Sequence, residues 1–173
     1  MKSGLRGSAV IDVIIGAAIL VLVILPLFSA IIERYILLNK MEIIRDAVDI
    51  TNIAVYNSLS TSGLGKKSVS FDLAKAKAIY KELLATNLKL DSDLKPASDS
   101  IADDTVIIDQ IGLYTSILPA VCPLGNTIMK PSVHCLLIVP VKPTLYRQAI
   151  LDLTGSSNIA LKIHVDSEIP LND

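Results

Sequence analysis

The sequence has no tryptophan, only two phenylalanines and five tyrosines, so that aromatic residues make up 4% of its 173 residues. It also lacks an excess of either charge, with 16 Lys and Arg against 17 Asp and Glu. Proteins that bind nucleic acid use a basic surface or stacked aromatic rings. We therefore expect no nucleic-acid partner.

The motifs of several enzyme classes are missing as well. The chain has neither G-x-S-x-G nor C-x-x-C, and its Gly-Leu-Gly-Lys-Lys stretch at residues 63–67 is too short for a phosphate-binding loop. His164 lies in a strand pattern beside Lys162 and Asp166, which is typical of a surface histidine rather than of a general base. We expect no enzymatic activity, no catalytic residue and no cofactor.

What the sequence does have is a long apolar segment. Residues 13–32 carry no charge, and hydrophobic residues make up 51% of the chain. Twenty residues of α-helix span about 30 Å, the thickness of the hydrocarbon core of a bilayer. Lys2 and Arg6 precede the segment, so the positive-inside bias keeps the N-terminus in the cytoplasm and sends the following domain outward. We predict a single-pass protein of the cytoplasmic or inner membrane with an extracytoplasmic C-terminal domain.

A cleaved secretory signal and a plain signal anchor are the simpler interpretations of this segment. It is longer than the ~7–15 apolar residues of a secretory signal, and Phe-Ser-Ala at residues 28–30 matches the cleavage site of such signals poorly. A plain anchor gains nothing from an acid at the membrane end, yet Asp12 lies there, where a carboxylate is costly. Pro26 lacks the N–H that would bind the Leu22 carbonyl group, which predicts a helix kink.

The N-terminus reads Met-Lys-Ser-Gly-Leu-Arg-Gly, then Ser-Ala-Val-Ile-Asp and the apolar segment. A short basic leader thus ends at Gly7, and the fifth residue after it, Asp12, is acidic. This pattern resembles the signal of prepilins and, with the internal proline, is most similar to the TadE-like pilins of the tight-adherence (Tad/Flp) pilus system. The resemblance covers roughly the first thirty residues and differs in having Asp12 where glutamate is commoner.

The resemblance implies that a prepilin peptidase cuts between Gly7 and Ser8 and leaves the helix attached to the chain. The new Ser8 ammonium group would pair with Asp12 of a neighbouring subunit, because two such charges are tolerable in an apolar setting only together. The implied function is a minor pilin or pseudopilin of an adhesive surface pilus. Its implied partners are the membrane, the peptidase, other pilin subunits and the pilus assembly platform. A single-pass membrane-anchored extracytoplasmic binding module is the alternative.

Helical periodicity continues beyond the apolar segment, with apolar residues recurring every three, four or seven positions. We therefore divide the chain into a leader at 1–7, a long helix at 8–59 and an extracytoplasmic domain at 68–173. The helix is expected to span the membrane at 13–32 and to be amphipathic at 33–59. The apolar positions of the amphipathic part are Ile36, Leu37, Met41, Ile44, Val48, Val55 and Leu59.

The extracytoplasmic domain has the pattern of an α+β fold. A helix is predicted from Leu73 to about Leu84, with Leu73, Ala76, Ile79 or Tyr80, and Leu83 facing inward. Strands are predicted at Thr105–Tyr114, Val133–Val141 and Asn158–Asp166, and the second, apolar on both faces, suits the centre of a sheet. Tyr146–Leu153 fits a helix or a strand. The predicted fold is a long N-terminal helix packed on a small antiparallel sheet, as in pilins.

Cys122 and Cys135 are the two cysteines of the chain. In an exported domain such a pair usually forms a disulfide, which over this loop would contribute roughly 3 kcal/mol in the chain-entropy model. Zinc bound with His134 and His164 is the alternative, but the adjacent Cys135 and His134 point to opposite faces of a strand. We predict a disulfide and no metal site, and a reduced, buried pair is the remaining possibility.

Overall fold

The computed structural model describes residues 5–60, 73–114 and 117–169. It confirms the α+β fold class, because a long apolar N-terminal helix precedes a small antiparallel sheet of three strands. The described residues form two compact units. The first contains those of Met1–Leu38 together with Pro143–Ser157, and the second contains those of Asn39–Lys142 and of Asn158–Asp173. Most of the predicted leader and all of residues 61–72 lie outside the described residues.

The N-terminal helix is α-helical over Leu5–Ile19 (α1), π-helical over Leu20–Ile24 and α-helical again over Leu25–Ser60 (α2). The π segment ends two residues before Pro26, and the Leu25 N–H donates to the Leu20 carbonyl group. Proline has no N–H to bind the Leu22 carbonyl group, and local π-helical adjustments are one way in which membrane helices accommodate a proline. The helix therefore continues past Pro26 with a shifted hydrogen-bond register, and a bend at this residue stays a prediction.

A short helix, α4 at Leu145–Leu153, belongs to the same unit as the first part of the long helix. The sequence was compatible with a helix or a strand here, and the helix is what forms. Glu33 is 5% exposed, and the Thr144 hydroxyl donates to its Oε2 atom over 3.2 Å. Arg147 Nε lies 3.9 Å from Glu33 Oε1. A buried carboxylate needs such partners because it has lost its water, so these contacts tie α4 to the long helix.

The three-stranded sheet of the second unit has the order β1–β4–β5, and all of its pairs are antiparallel. Its strands are Ile107–Tyr114 (β1), Ser132–Val141 (β4) and Ile159–Glu168 (β5). The prediction that the middle segment is the central strand is confirmed. A hairpin of two short strands, β2 at Ala120–Val121 and β3 at Thr127–Ile128, was not predicted. Two-residue strands are too short to show an alternating pattern.

The core of the second unit lies between one face of the sheet and the helices. The odd-numbered residues of β4 and β5 form this face, and Asn52 of α2 donates to Ser167 Oγ there. The predicted apolar positions Ile44, Val48 and Val55 are buried. On the third helix, α3 at Leu73–Leu88, the buried residues are Ala76, Tyr80, Leu84 and Leu88. Leu83, which was expected inside, is half-buried because the buried stripe repeats at every fourth residue.

Candidate functional site

The first candidate site is the apolar surface of the N-terminal helix. The large apolar side chains between Val10 and Ile32 expose 43–73% of their surfaces. The most apolar window has a mean hydropathy of 2.9 and contains no buried residue. Soluble monomers rarely expose contiguous apolar patches larger than a few hundred Å². This helix is long and apolar enough to cross a membrane, which supports single-pass anchoring.

The residues predicted for cleavage and assembly lie at the start of this surface. Gly7 and Ser8 belong to α1, which begins at Leu5, and their side chains lie outside the described residues. Asp12 follows Ser8 by about one helical turn and is exposed. Pro26, predicted to kink the helix, is half-buried and lies two residues after the end of the π segment. The pattern seen in the sequence therefore lies on one continuous helical segment.

The second candidate site lies on the face of the sheet that is turned away from the core helices. Cys122, His134, His164 and Asp166 each offer a donor atom there, and the four atoms lie within 4.8 Å of one another. Side chains with sulfur, imidazole nitrogen and carboxylate oxygen are the usual ligands of transition metals in proteins. We refer to these four residues as the His–Cys–Asp cluster.

Strand register places three members of the cluster. His134 of β4 is paired with Asp166 of β5, and His164 is two residues before Asp166 on the same face. On the other side of β4, Gly112 of β1 is paired with His134. A Cβ atom at Gly112 would lie 3.7 Å from His134 Cβ, which is an ordinary van der Waals contact, so the backbone of β1 packs closely beside His134. His134 is 1% exposed as a result of this packing.

The β2–β3 hairpin supplies the fourth member. The Cys122 N–H donates to the Asn126 carbonyl group over 2.9 Å, and the Gly125 N–H donates to the Cys122 carbonyl group over 2.8 Å. Gly125 has a φ of 88°, a left-handed conformation that glycine adopts without a steric cost. The tight turn directs both Cys122 and Asn126 toward the sheet. Asn126 Nδ2 lies 3.4 Å from Asp166 Oδ2 and 3.5 Å from His164 Nδ1.

The distances within the cluster are short. Asp166 Oδ1 lies 2.7 Å from His134 Nδ1, and Asp166 Oδ2 lies 3.0 Å from His164 Nε2. The two imidazole nitrogens, His134 Nδ1 and His164 Nε2, are 3.2 Å apart, and Cys122 Sγ lies 3.8 Å from the latter. Burial raises the pKa of Asp166, but hydrogen bonds from His134 and Asn126 and the nearby imidazoles lower it more, so the net pKa falls below its ordinary value. Asp166 is therefore favoured as a carboxylate.

Both cysteines are free in the structure, so the Cys122–Cys135 disulfide predicted from the sequence is not present among the described residues. Cys135 lies on the core face beside Tyr80, whereas Cys122 lies on the opposite face beside His164. The sequence argument against a metal site was made about Cys135, which does lie on the opposite face of the strand from His134. The cysteine that lies near the histidines is Cys122. The alternation of β5 already put His164 and Asp166 on one face. The register of β4 and the fold of the hairpin, which complete the cluster, had no signal in the sequence.

No protein-family model matches the chain, and comparison with curated proteins and with solved structures finds no match.

Proposed function

We propose that the chain is a TadE-like pilin subunit of a pilus on the cell envelope, with its N-terminus in the cytoplasm before assembly. The observation that carries the proposal is the uncovered apolar helix surface between Val10 and Ile32. Such a surface needs an apolar partner. A bilayer would cover it before assembly, and the same helices of other subunits would cover it in a filament.

The residues at the start of the helix support the same proposal. In the proposed mechanism a prepilin peptidase cleaves between Gly7 and Ser8. The bond between Gly7 and Ser8 lies within α1, so the helix would have to unwind locally to present it to the peptidase. The new Ser8 ammonium group then pairs with Asp12 of a neighbouring subunit and fixes the axial register of the helices. A registry role is the best-attested use of buried ion pairs.

The mass of the native protein tests the cleavage. We expect that protein isolated from membranes and from sheared surface filaments has lost seven residues and retains 166 of its 173 residues, with Ser8 at the N-terminus. Full-length protein in the filament fraction would overturn the proposal. Full-length protein confined to membranes would favour the alternative, a single-pass anchored binding module, and would equally overturn the pilin function.

Variants of Asp12 test the assembly mechanism. We expect Asp12→Ala to insert into the membrane and to be cleaved normally, but to be lost from the sheared filament fraction on immunoblots. Asp12→Glu keeps the charge and should be incorporated. Asp46→Ala, which removes an exposed aspartate farther along the same helix, is the matched control and should also be incorporated. Normal incorporation of Asp12→Ala would refute the role of this carboxylate.

A further inference from the structure

We propose that the His–Cys–Asp cluster is a zinc site, with Cys122, His134, His164 and Asp166 as its four ligands. The inference does not depend on the pilin function, because it concerns only the folded domain. It rests on the convergence of four donor atoms from two strands, β4 and β5, and the β2–β3 hairpin within 4.8 Å.

The distances between donor atoms fit a tetrahedral ion. Zinc bonds of about 2.0–2.1 Å to nitrogen and about 2.3 Å to sulfur place tetrahedral ligands about 3.3–3.6 Å apart. The two imidazole nitrogens are 3.2 Å apart, and Cys122 Sγ is 3.8 Å from His164 Nε2. The Asp166 oxygens are closer, at 2.7 and 3.0 Å, which are hydrogen-bond distances. A shift of the carboxylate by a few tenths of an ångström would bring one of its oxygens to the spacing of tetrahedral zinc ligands.

The kind of donor selects the metal. The thiolate is a soft ligand and the two imidazoles are intermediate ones, and together with one carboxylate they favour Zn²⁺, whereas Ca²⁺ and Mg²⁺ prefer oxygen alone. Four protein ligands also fill a tetrahedral coordination sphere, which is the arrangement of structural rather than catalytic zinc sites. Asn126 contacts both His164 and Asp166 and would orient them, as outer-shell partners of metal ligands do.

The fold gives the ion a structural purpose. An isolated two-stranded hairpin is at best marginally stable, and β2 and β3 have two residues each. Zinc would join Cys122 of this hairpin to His134 and His164 of the sheet. An open cleft of about 480 Å³ reaches His164 and Asp166 and would provide a path for the ion. We infer that zinc fixes the hairpin to the outer face of the sheet.

The test uses the full chain in detergent, purified without a histidine tag, reduced and stripped with a chelator. We expect one equivalent of Zn²⁺ to bind in competition with a chromophoric chelator and to raise the melting temperature. Co²⁺ in its place should give the visible absorption of a tetrahedral ion and a thiolate charge-transfer band. No binding of either metal, or tight binding of Ca²⁺ instead, would overturn the site.

Variants assign the ligands. We expect Cys122→Ser and His164→Ala to weaken zinc binding by more than the roughly 10–100-fold that is typical of losing an outer-shell partner such as Asn126. Cys135→Ala, which changes the buried cysteine on the opposite face, is the matched control and should bind normally. Unchanged binding by Cys122→Ser, or binding lost only in Cys135→Ala, would overturn the assignment.

A measurement on the unaltered chain guards against variants that fail to fold. We expect Zn²⁺ to slow alkylation of Cys122, located by peptide mass spectrometry, at least about tenfold, in line with the loss of a free thiolate on metal binding. Unaltered alkylation of Cys122 in saturating Zn²⁺ would refute the site. A Cys122–Cys135 disulfide in the native protein would refute it as well, because it removes the sulfur ligand.

Discussion

Asn52 of α2 donates its side-chain amide to Ser167 Oγ of β5 over 2.8 Å, and both residues are buried. The same amide lies 3.3 Å from the carbonyl oxygen of Val133 in β4. One polar side chain of the helix therefore joins two strands of the sheet within an otherwise apolar core. Its position specifies how α2 packs on the sheet, since a shift of the helix would leave buried polar groups without partners.

Removal of this amide should destabilise the second unit. Asn52→Ala leaves the Ser167 hydroxyl and the Val133 carbonyl group without their donor, and we expect a loss of about 1–3 kcal/mol in the free energy of unfolding. Urea denaturation followed by circular dichroism in detergent measures the loss. Asn39→Ala, an exposed asparagine on the same helix, is the control and should change stability by less than about 0.5 kcal/mol. Equal effects of the two variants would contradict the assigned role.

A second prediction concerns the ion pair between Glu33 and Arg147 and its effect on the docking of α4. Arg147→Ala leaves a carboxylate that is 5% exposed without its cation, and we expect the docking to weaken by about 1 kcal/mol because Arg147 is itself half exposed. Amide hydrogen exchange in α4 should become about fivefold faster. A second substitution, Glu33→Gln, made in the Arg147→Ala variant removes the buried charge and should restore slow exchange in α4. Exchange in this double variant that stays faster than in the unaltered chain would contradict this account.

A third prediction concerns the reactivity of Cys135. Burial raises the pKa of its thiol to about 12, and the neighbouring Tyr80 hydroxyl offsets only part of that rise. Because the thiolate is the reactive form, fewer than about one thiol in ten thousand is ionised near pH 7.5. We expect Cys135 to resist iodoacetamide in the native protein and to react after unfolding. Ser98→Cys adds an exposed thiol as an internal reference, and equally fast labelling of both thiols would contradict the prediction.

A fourth prediction concerns the loop after α3 at low pH. Asp91 Oδ1 accepts the Lys95 N–H over 2.9 Å and the Asp93 N–H over 2.8 Å, and these hydrogen bonds, chiefly that from Lys95, lower the pKa of Asp91 below 3.8. The pKa of Asp91 is lower in the folded chain than in the unfolded chain. The ionised carboxylate therefore stabilises the loop fully when the pH is above the unfolded pKa, and this contribution is lost as the pH falls through the folded pKa.

Nuclear magnetic resonance can follow this titration. The amide signals of Asp93 and Lys95 should shift together on acidification with a midpoint below 3.8. Asp91→Asn keeps an acceptor oxygen but cannot titrate, and should abolish the shared midpoint. A midpoint at or above 3.8 would show that the hydrogen bonds do not favour the ionised carboxyl group.

The sequence by itself determined the features that depend on local patterns. The uncharged run at 13–32 identified the helix that can span a membrane, because a helix of this length matches the thickness of the hydrocarbon core of a bilayer. Alternation and β-branched residues located the outer two of the three long strands, and apolar residues on both faces of the middle one put β4 at the centre. Helical spacing marked Ile44 and Val48 as core residues. Each of these follows from a period in the chain or from composition over a short window.

Only the tertiary structure decided which distant side chains meet. Cys122 joins His134, His164 and Asp166 because a short hairpin folds over the sheet and because the register of β4 and β5 pairs residues that are 32 positions apart. A register shift of one residue would turn these side chains to the other face, and the composition would be unchanged. The disulfide was predicted because a pair of cysteines lies in a domain expected to be exported, whereas the side of the sheet on which each cysteine lies is a property of the folded chain.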